Sequence, residues 1–333
     1  MPKDEVKRQH YVPRTYMKRF SVKKGDEYYI NALPNNNCKE DKIIELNIAN
    51  VCLQKDLYTL PGDTKEHRML IEKFYSDNYE THYNQIHEML TDPNKKTVTN
   101  AERELIISTV VTMFYRTTKW INLHNNLFNR MLQSAYNICQ QTGKDFFMFE
   151  DQKISIAGKT LEQLQKENII ENRPTQIIAQ LEVALKLIRL RTIRDGIYIS
   201  RLVDDNCGFI TSDNPVICSN IKAGFIAPAD PTNILKLPLD NKHMLFLMPY
   251  ADANTRHLLI RHNVSGTMSF TEKLTSNYEQ FKNSERFILG TNSAIKSYLR
   301  TKKASESSLS PEENMKLKSY DDLIQKCKDL GLF

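Results

Sequence analysis

The chain has 333 residues, a formal net charge of +6 at pH 7, a hydrophobic fraction of 40% and a charged fraction of 26%. These values are ordinary for a soluble globular protein, and the length suits one large domain or two small ones. No apolar run is long enough to cross a bilayer, and the charged start lacks the apolar stretch of a secretion signal. The six cysteines form no close pair, which argues against a zinc knuckle or a redox pair, so we expect a reduced, cytoplasmic protein without membrane contact.

The excess of positive charge leaves two interpretations open. It favours an anionic partner such as RNA or DNA, but a lysine-rich surface that only aids solubility explains it equally well. Arginine is the better phosphate ligand, and Arg189, Arg191 and Arg194 cluster in one stretch. This cluster either contacts phosphate or forms a solvated helix face with salt bridges to nearby acids.

The first 60 residues predict a β-rich start, with strands at 28–30 and 42–46 joined by a loop of Pro and Asn residues. Asp63 or Thr64 caps a helix that runs to about Leu90, where an Asp-Pro-Asn sequence ends it.

The clearest helix begins at Thr99, which forms a capping box with Glu102 three residues later. Apolar residues recur as far as Ile138, which predicts a central helix of roughly 40 residues, about 60 Å long, with a bend or break near Trp120. Two further helices are expected at 160–170 and 174–195.

The periodicity changes after Gly196. Residues 196–203 predict a strand, 204–206 a turn and 208–211 its antiparallel partner, and the apolar run 242–249 predicts a buried strand. Residues 271–300 return to a helical pattern, 302–310 read as a polar linker, and Ser-Pro-Glu-Glu at 310–313 begins a terminal helix.

Together these elements predict an α+β fold that is helix-dominated, with a small antiparallel sheet and a long central helix. We expect one α+β domain over residues 1–300, followed by a linker and terminal helix over 301–333. The parts of that domain are a β-rich start (1–60), a helical middle (64–195), a β-containing part (196–262) and a helical end (271–300).

Two segments combine hydrogen-bonding side chains with a proline, which restricts its own backbone and that of the preceding residue. The first is Gln-His-Tyr-Val-Pro-Arg-Thr-Tyr at residues 9–16, and the second is Thr-Ser-Asp-Asn-Pro-Val at 211–216. Turns of this kind hold a few side chains at fixed angles.

These two motifs resemble the signatures of an uncharacterised bacterial family, the domain of unknown function 4238. The resemblance spans roughly residues 8–300, and Arg14 departs from it because the family pattern favours Gln there. Further matching residues lie in the family's order: Leu57, Tyr58, Thr59, Ile71, Glu72, Glu80, Tyr115, Arg116, Thr117, Pro238 and Leu239. The family label carries no established activity, so function is argued from the residues.

His10 is a candidate general acid or base, because imidazole titrates near neutrality. The alternative is a structural histidine that locks the turn. Tyr11 is a candidate for stacking on a base or sugar, and tyrosines at such positions also pack in cores. With Arg14, Ser212 and Asn214 it makes up the predicted substrate-binding set.

Asp213 follows a predicted strand and is a candidate metal ligand, base or orienting partner of His10. The alternative is a turn in which its side chain bonds the local backbone. Arg116 lies inside the apolar helix and therefore needs a partner, either Glu72 or Glu80 or a substrate phosphate. Glu72 and Glu80 are eight residues apart, so one helix would place both on roughly the same side. They either share Mg²⁺ or Mn²⁺ with Asp213 or form an ion-pair network with Arg116.

Two functions remain open. The first is a metal-assisted or His-dependent phosphodiester hydrolase, that is, a nuclease of a toxin or phage-defence kind. In this hypothesis His10 transfers protons and Arg116 neutralises the charge on phosphate. Glu72, Glu80 and Asp213 hold a metal ion or supply the second acid–base group. The second is a non-catalytic module that binds nucleic acid or protein. The first predicts that His10, Arg116 and Asp213 meet in one pocket.

Overall fold

The computed structural model describes residues 7–149, 152–203, 208–220, 230–249 and 251–307, together with Glu312 and Met315. The strands are β1 (Arg8–His10), β2 (Val22–Lys24), β3 (Glu27–Pro34), β4 (Ile44–Asn47), β5 (Leu53–Lys55), β6 (Phe146–Phe149), β7 (Gln152–Ser155), β8 (Gly196–Leu202), β9 (Thr211–Ser212), β10 (Ile217–Ser219), β11 (Ile234–Pro238), β12 (His243–Met248), β13 (Leu259–Val264) and β14 (Phe287–Gly290). The helices are α1 (Arg14–Met17), α2 (Lys65–Arg68), α3 (Leu70–Tyr75), α4 (Tyr83–Thr91), α5 (Asn100–Tyr115), α6 (Thr118–Thr142), α7 (Leu161–Arg194), α8 (Gly266–Asn283) and α9 (Asn292–Ser307). Short 3-10 turns lie at Lys18–Phe20, Glu40–Lys42 and Ile48–Asn50, and a π-helical turn at Ser76–Glu80.

Helix exceeds strand, at 51% against 22%, and the sheets are small, so the predicted α+β class is confirmed. None of the helices in the described ranges has the length and apolar character that a membrane span requires.

The chain divides into two compact units. One contains the residues up to Thr117 and those from Gln180 to Ser307, and the other contains Thr118–Ala179. The second unit consists of α6, the β6–β7 hairpin and the first part of α7, with a small core of Cys139, Ile156 and Leu164.

The first unit contains two five-stranded sheets and the β1–β5 pair. One sheet has the order β10-β11-β12-β8-β13 and is antiparallel except for the parallel β13–β8 pair. The other has the order β2-β3-β14-β9, with β4 also paired to β3. The apolar residues of β3 and β14 pack with Ile210 and with α9, which forms a core beneath this sheet.

Several local predictions are confirmed. The strands expected at 28–30 and 42–46 pair as β3 and β4, and the apolar run at 242–249 forms β12. The Thr99 hydroxyl accepts a hydrogen bond from the Glu102 amide at 3.2 Å, and the Glu102 carboxylate accepts one from the Thr99 amide at 2.8 Å. This is the reciprocal capping box that the sequence predicts.

The long central helix is confirmed only in part, because the chain breaks at Arg116–Thr117 into α5 and α6. The break lies before Trp120, where the sequence placed it, and Trp120 is inside α6. At the break the Tyr58 hydroxyl donates to the Arg116 carbonyl at 2.5 Å, a tertiary contact that helps to satisfy a carbonyl at the C-terminal end of α5. Conversely, the two helices expected at 160–170 and 174–195 are one helix, α7, with Pro174 inside it.

The predicted pairing of 196–203 with 208–211 is also wrong. The neighbours of β8 are β12 and β13, while Thr211–Ser212 pairs with β14. The amide of Phe209 donates to the Asn241 carbonyl and that of Ile210 to the Asn277 side chain, so this segment bonds elsewhere. The predicted turn at 204–206 lies outside the described residues.

The helix expected over 271–300 is interrupted by β14, and the linker expected at 302–310 is helical as far as Ser307. The capping box at 310–313 and the terminal helix lie almost wholly outside the described residues, where only Glu312 and Met315 are seen, both helical.

Candidate functional site

The first motif forms a tight corner at the end of β1. His10 pairs with Leu53 of β5, and the Tyr11 amide donates to the Cys52 carbonyl at 3.0 Å. Pro13 then precedes the first residue of α1, so the strand turns directly into a helix. Tyr11 is buried in this corner, His10 is partly exposed and Arg14 is exposed.

Arg116 is the centre of the cluster behind this corner. Its Nη2 donates to the His10 carbonyl at 2.7 Å and to Oε1 of Glu80 at 2.7 Å. Its side chain is only 2% exposed, and the guanidinium lies 4.4 Å from the centre of the Tyr75 ring and 5.6 Å from that of Tyr58. The expectation that Arg116 is buried and paired with a carboxylate is therefore confirmed, with Glu80 as the partner.

Glu80 reaches Arg116 from an irregular segment. The sequence suggested one helix from about residue 64 to Leu90, but the chain forms α2, α3, the π-helical turn and α4 in succession. Glu72 lies in α3 and Glu80 ends the π-helical turn, so the two are not on one regular helix. Turns of this type often occur at functional sites because they redirect side chains.

The imidazole of His10 is held in its neutral form. Burial, and then the positive charge of Arg14, lower its pKa to about 4, with Arg116 acting in the same direction. The backbone of Ile48 forms a hydrogen bond with the ring, while Nε2 is buried and has no hydrogen-bond partner among the residues described. The Ile48 contact therefore belongs to Nδ1, which leaves the Nε2 lone pair available to accept a proton.

The pKa of Glu72 is shifted in the opposite direction, which favours the protonated carboxyl group. Burial raises its pKa to about 7, Glu80 adds to the increase and Arg116 opposes it. Its Oε2 is buried without a hydrogen-bond partner within the described part of the chain. Arg116 and Glu80 influence the pKa of both His10 and Glu72, so the four side chains form one electrostatic cluster.

The second motif contacts the first through the hydroxyl groups of Tyr16 and Thr211, which lie 2.6 Å apart, but its other side chains bond different elements. The Asp213 carboxylate accepts hydrogen bonds from the amides of Glu285 at 3.0 Å and Arg286 at 2.7 Å, just before β14. Burial raises its pKa to about 6 against the effect of these amides. Asp213 also interacts electrostatically with Tyr11 of the first motif. Burial raises the pKa of Tyr11, and the negative charge of Asp213 acts in the same direction.

The neighbours of Asp213 also make local bonds. The Ser212 hydroxyl donates to the Asn214 carbonyl at 3.0 Å and contacts Gln280 at 2.7 Å, and the Asn214 side-chain amide donates to the Asn283 carbonyl at 3.2 Å. Ser212, Asp213 and Asn214 are all buried. Ser212 and Asn214, which the sequence suggested as substrate-binding residues, belong to a hydrogen-bond network that joins β9 to α8 and to the segment before β14.

No group of three His, Cys, Asp or Glu residues in the described ranges is arranged to hold a metal ion. Glu72, Glu80 and Asp213 are therefore not gathered around a common Mg²⁺ or Mn²⁺ position, and the ion-pair alternative describes Glu80 better.

The arginine cluster near the end of α7 includes one buried residue that is bonded within the fold. Arg191 is buried, forms an ion pair with Asp195 four residues later and donates to the Asn233 carbonyl. Its role is structural. A second group lies outside the two motifs: Asp240 bonds both His87 and His243. Its only local signal is the three-residue spacing of Asp240 and His243.

Comparison with known proteins found one family. The pattern of a family described as protein of unknown function (DUF4238) matches residues 8–294. Searches of curated proteins and of solved structures each found no match to the chain.

Proposed function

We propose that this chain, which belongs to the family of proteins of unknown function DUF4238, is a His-dependent hydrolase of phosphodiesters, that is, a nuclease. The main support for the proposal is that the pKa values of two acid–base groups in one cluster, His10 and Glu72, are shifted in opposite directions. His10 has a neutral imidazole whose buried Nε2 has no hydrogen-bond partner among the described residues, and Glu72 has a carboxyl group with a pKa of about 7 whose buried Oε2 likewise has none there. Pairs whose surroundings drive their pKa values apart identify a base and an acid.

The two groups support a complete proton cycle. His10 Nε2 accepts the proton of the attacking water or ribose hydroxyl as its oxygen bonds to phosphorus. Glu72 in its protonated form donates to the leaving oxygen as the old phosphorus–oxygen bond breaks. Exchange with solvent then returns one proton from His10 and one to Glu72.

Arg116 supports the site from behind. Because its guanidinium is buried against Glu80 and two tyrosine rings, we assign it a positioning role and not contact with phosphate. It holds the backbone of His10 and lowers the pKa of Glu72. The exposed cation of the motif is Arg14, which is close enough to lower the pKa of His10 and suits a phosphate oxygen.

Phosphodiesters are the proposed substrate class because of this exposed arginine and the net charge of +6. RNA and DNA are both included, and the proposed setting is a cytoplasmic toxin or phage-defence effector. Expression of the wild type should then arrest cell growth, and expression of His10→Gln should not.

The decisive experiment is cleavage of labelled RNA and DNA by the purified full chain in EDTA, with and without added Mg²⁺ or Mn²⁺. Cleavage in EDTA is expected. Its kcat/KM should rise with pH through about 4, as His10 loses its proton, and fall through about 7, as Glu72 does. His10→Gln and Glu72→Gln should each lower kcat/KM by about 10²-fold or more.

The matched control is His124→Gln, which changes an exposed histidine of α6 and should leave cleavage unchanged. A strict requirement for Mg²⁺ or Mn²⁺ would overturn the His–Glu route. Binding of RNA without cleavage, unchanged by His10→Gln, would favour the non-catalytic binding module instead.

A further inference from the structure

A second charged pocket in the same unit shares no lining residue with the Arg116 cluster. Three elements form it: the 3-10 turn at Lys18–Phe20, helix α4 and the connection between β11 and β12. Its volume is about 340 Å³. The lining residues are Lys18, Arg19, His87, Asp240, Asn241, Lys242 and His243.

Asp240 organises the floor of this pocket. Its Oδ2 bonds Nε2 of His87 at 2.7 Å, and both of its oxygens lie 3.0 Å from Nδ1 of His243. Oδ1 also accepts the backbone amides of Lys242 at 2.7 Å and His243 at 2.8 Å. These donors hold the pKa of Asp240 well below its usual range although burial opposes them. The carboxylate is therefore ionised, and its acceptor positions are occupied by the protein itself.

The bonds to Asp240 orient the imidazoles. With Nδ1 of His243 directed to the carboxylate, its Nε2 is the ring atom left for a ligand. Nδ1 of His87 and Nε of Arg19 are buried and have no hydrogen-bond partner among the residues that the structure covers.

The charge of the pocket is positive. Three cationic residues, Lys18, Arg19 and Lys242, line the pocket together with one carboxylate, that of Asp240, so these four side chains carry a formal net charge of +2. A phosphate monoester carries about −1.5 to −2 at pH 7, with three acceptor oxygens. A phosphodiester carries only one charge and matches less well.

We propose that this pocket binds the phosphate monoester group of a ligand, with Lys18, Arg19 and Lys242 around the phosphate. The volume is within the range of small-molecule sites, which suits a ligand of nucleotide size. The site is independent of the proposed hydrolase chemistry, because it shares no residue with the Arg116 cluster.

The test is isothermal titration of the full chain at low salt with inorganic phosphate, AMP and adenosine. Phosphate and AMP should bind, and adenosine should not. Lys18→Gln and Lys242→Gln should each weaken AMP binding by about 10-fold, the effect of losing one charged hydrogen bond. Neither side chain is buried, so both variants should fold.

Two controls make the result specific. Lys186→Gln removes the same charge from a side chain that is 72% exposed on α7, and it should bind AMP as the wild type does. His10→Gln should also retain AMP binding, since a loss there would assign the phosphate to the other cluster.

The proposal is overturned if adenosine binds as tightly as AMP, if neither lysine variant changes AMP binding, or if Lys186→Gln weakens it equally. A trinucleotide with a 5′-phosphate distinguishes the two sources of the group. If the trinucleotide binds more tightly than AMP, the natural ligand is the phosphorylated end of a nucleic acid. If it binds equally or more weakly, the natural ligand is a small molecule.

Discussion

Arg116→Ala tests whether the centre of the cluster is structural. The substitution removes a guanidinium that is 2% exposed and leaves behind the His10 carbonyl and a Glu80 carboxylate that is 24% exposed. Loss of one partner from a fully buried pair costs about 3–5 kcal/mol. Water can still reach Glu80, which favours the lower end, while the lost contacts with Tyr58 and Tyr75 add about 1 kcal/mol. We therefore expect a decrease of about 3–4 kcal/mol in the free energy of unfolding.

The assay is urea unfolding followed by far-ultraviolet circular dichroism, with the free energy extrapolated linearly to water. The control is Arg14→Ala, an exposed arginine from the same motif, which should stay within about 0.5 kcal/mol of the wild type. In a double-mutant cycle, Arg116→Met and Glu80→Gln should show a coupling of about 1 kcal/mol or more. An Arg116→Ala protein as stable as the wild type would refute the argument from burial and pairing.

Two further predictions concern the buried carboxyl groups. The pKa of Glu72 is raised to about 7, so its folded state binds more protons than the unfolded state between about pH 4.5 and 7, and stability falls as pH rises through that window. Glu72→Gln should therefore stabilise the fold by about 1–3 kcal/mol at pH 8 and by nothing at pH 4. Equal effects at both pH values in urea unfolding would contradict the raised pKa. Asp213→Ala should destabilise by about 2–4 kcal/mol because the amides of Glu285 and Arg286 lose their acceptor, whereas the exposed control Asp41→Ala should not. Unchanged unfolding of Asp213→Ala with loss of cleavage would instead place Asp213 in the chemistry.

The sequence was informative where structure depends on neighbours a few residues away. The capping box of Thr99 and Glu102 needs only a spacing of three, and it forms as expected. The apolar run of β12 and the strands β3 and β4 were also visible, because alternation and continuous burial are local patterns. The same holds for the need of Arg116 for a carboxylate, since a charged residue in an apolar helix must be paired.

Strand partners and helix ends were decided by distant residues. A short turn suggested that β8 pairs with the next segment, but the amides of Phe209 and Ile210 bond Asn241 and Asn277 instead. The helix expected over 271–300 is interrupted by a strand that pairs with β3, about 250 residues earlier in the chain.

The sequence by itself determined the family and the α+β class, and it supplied the residues of the candidate site. It did not determine which of them share a site. Glu80 reaches Arg116 through a π-helical turn, and Asp213 bonds the backbone before β14. His87, Asp240 and His243 meet although His87 is far from the other two in sequence. The physical reason is that burial sets the pKa values of these groups, together with the charged and hydrogen-bonding partners that surround them. Both depend on which elements pack together, and that is a property of the tertiary structure alone.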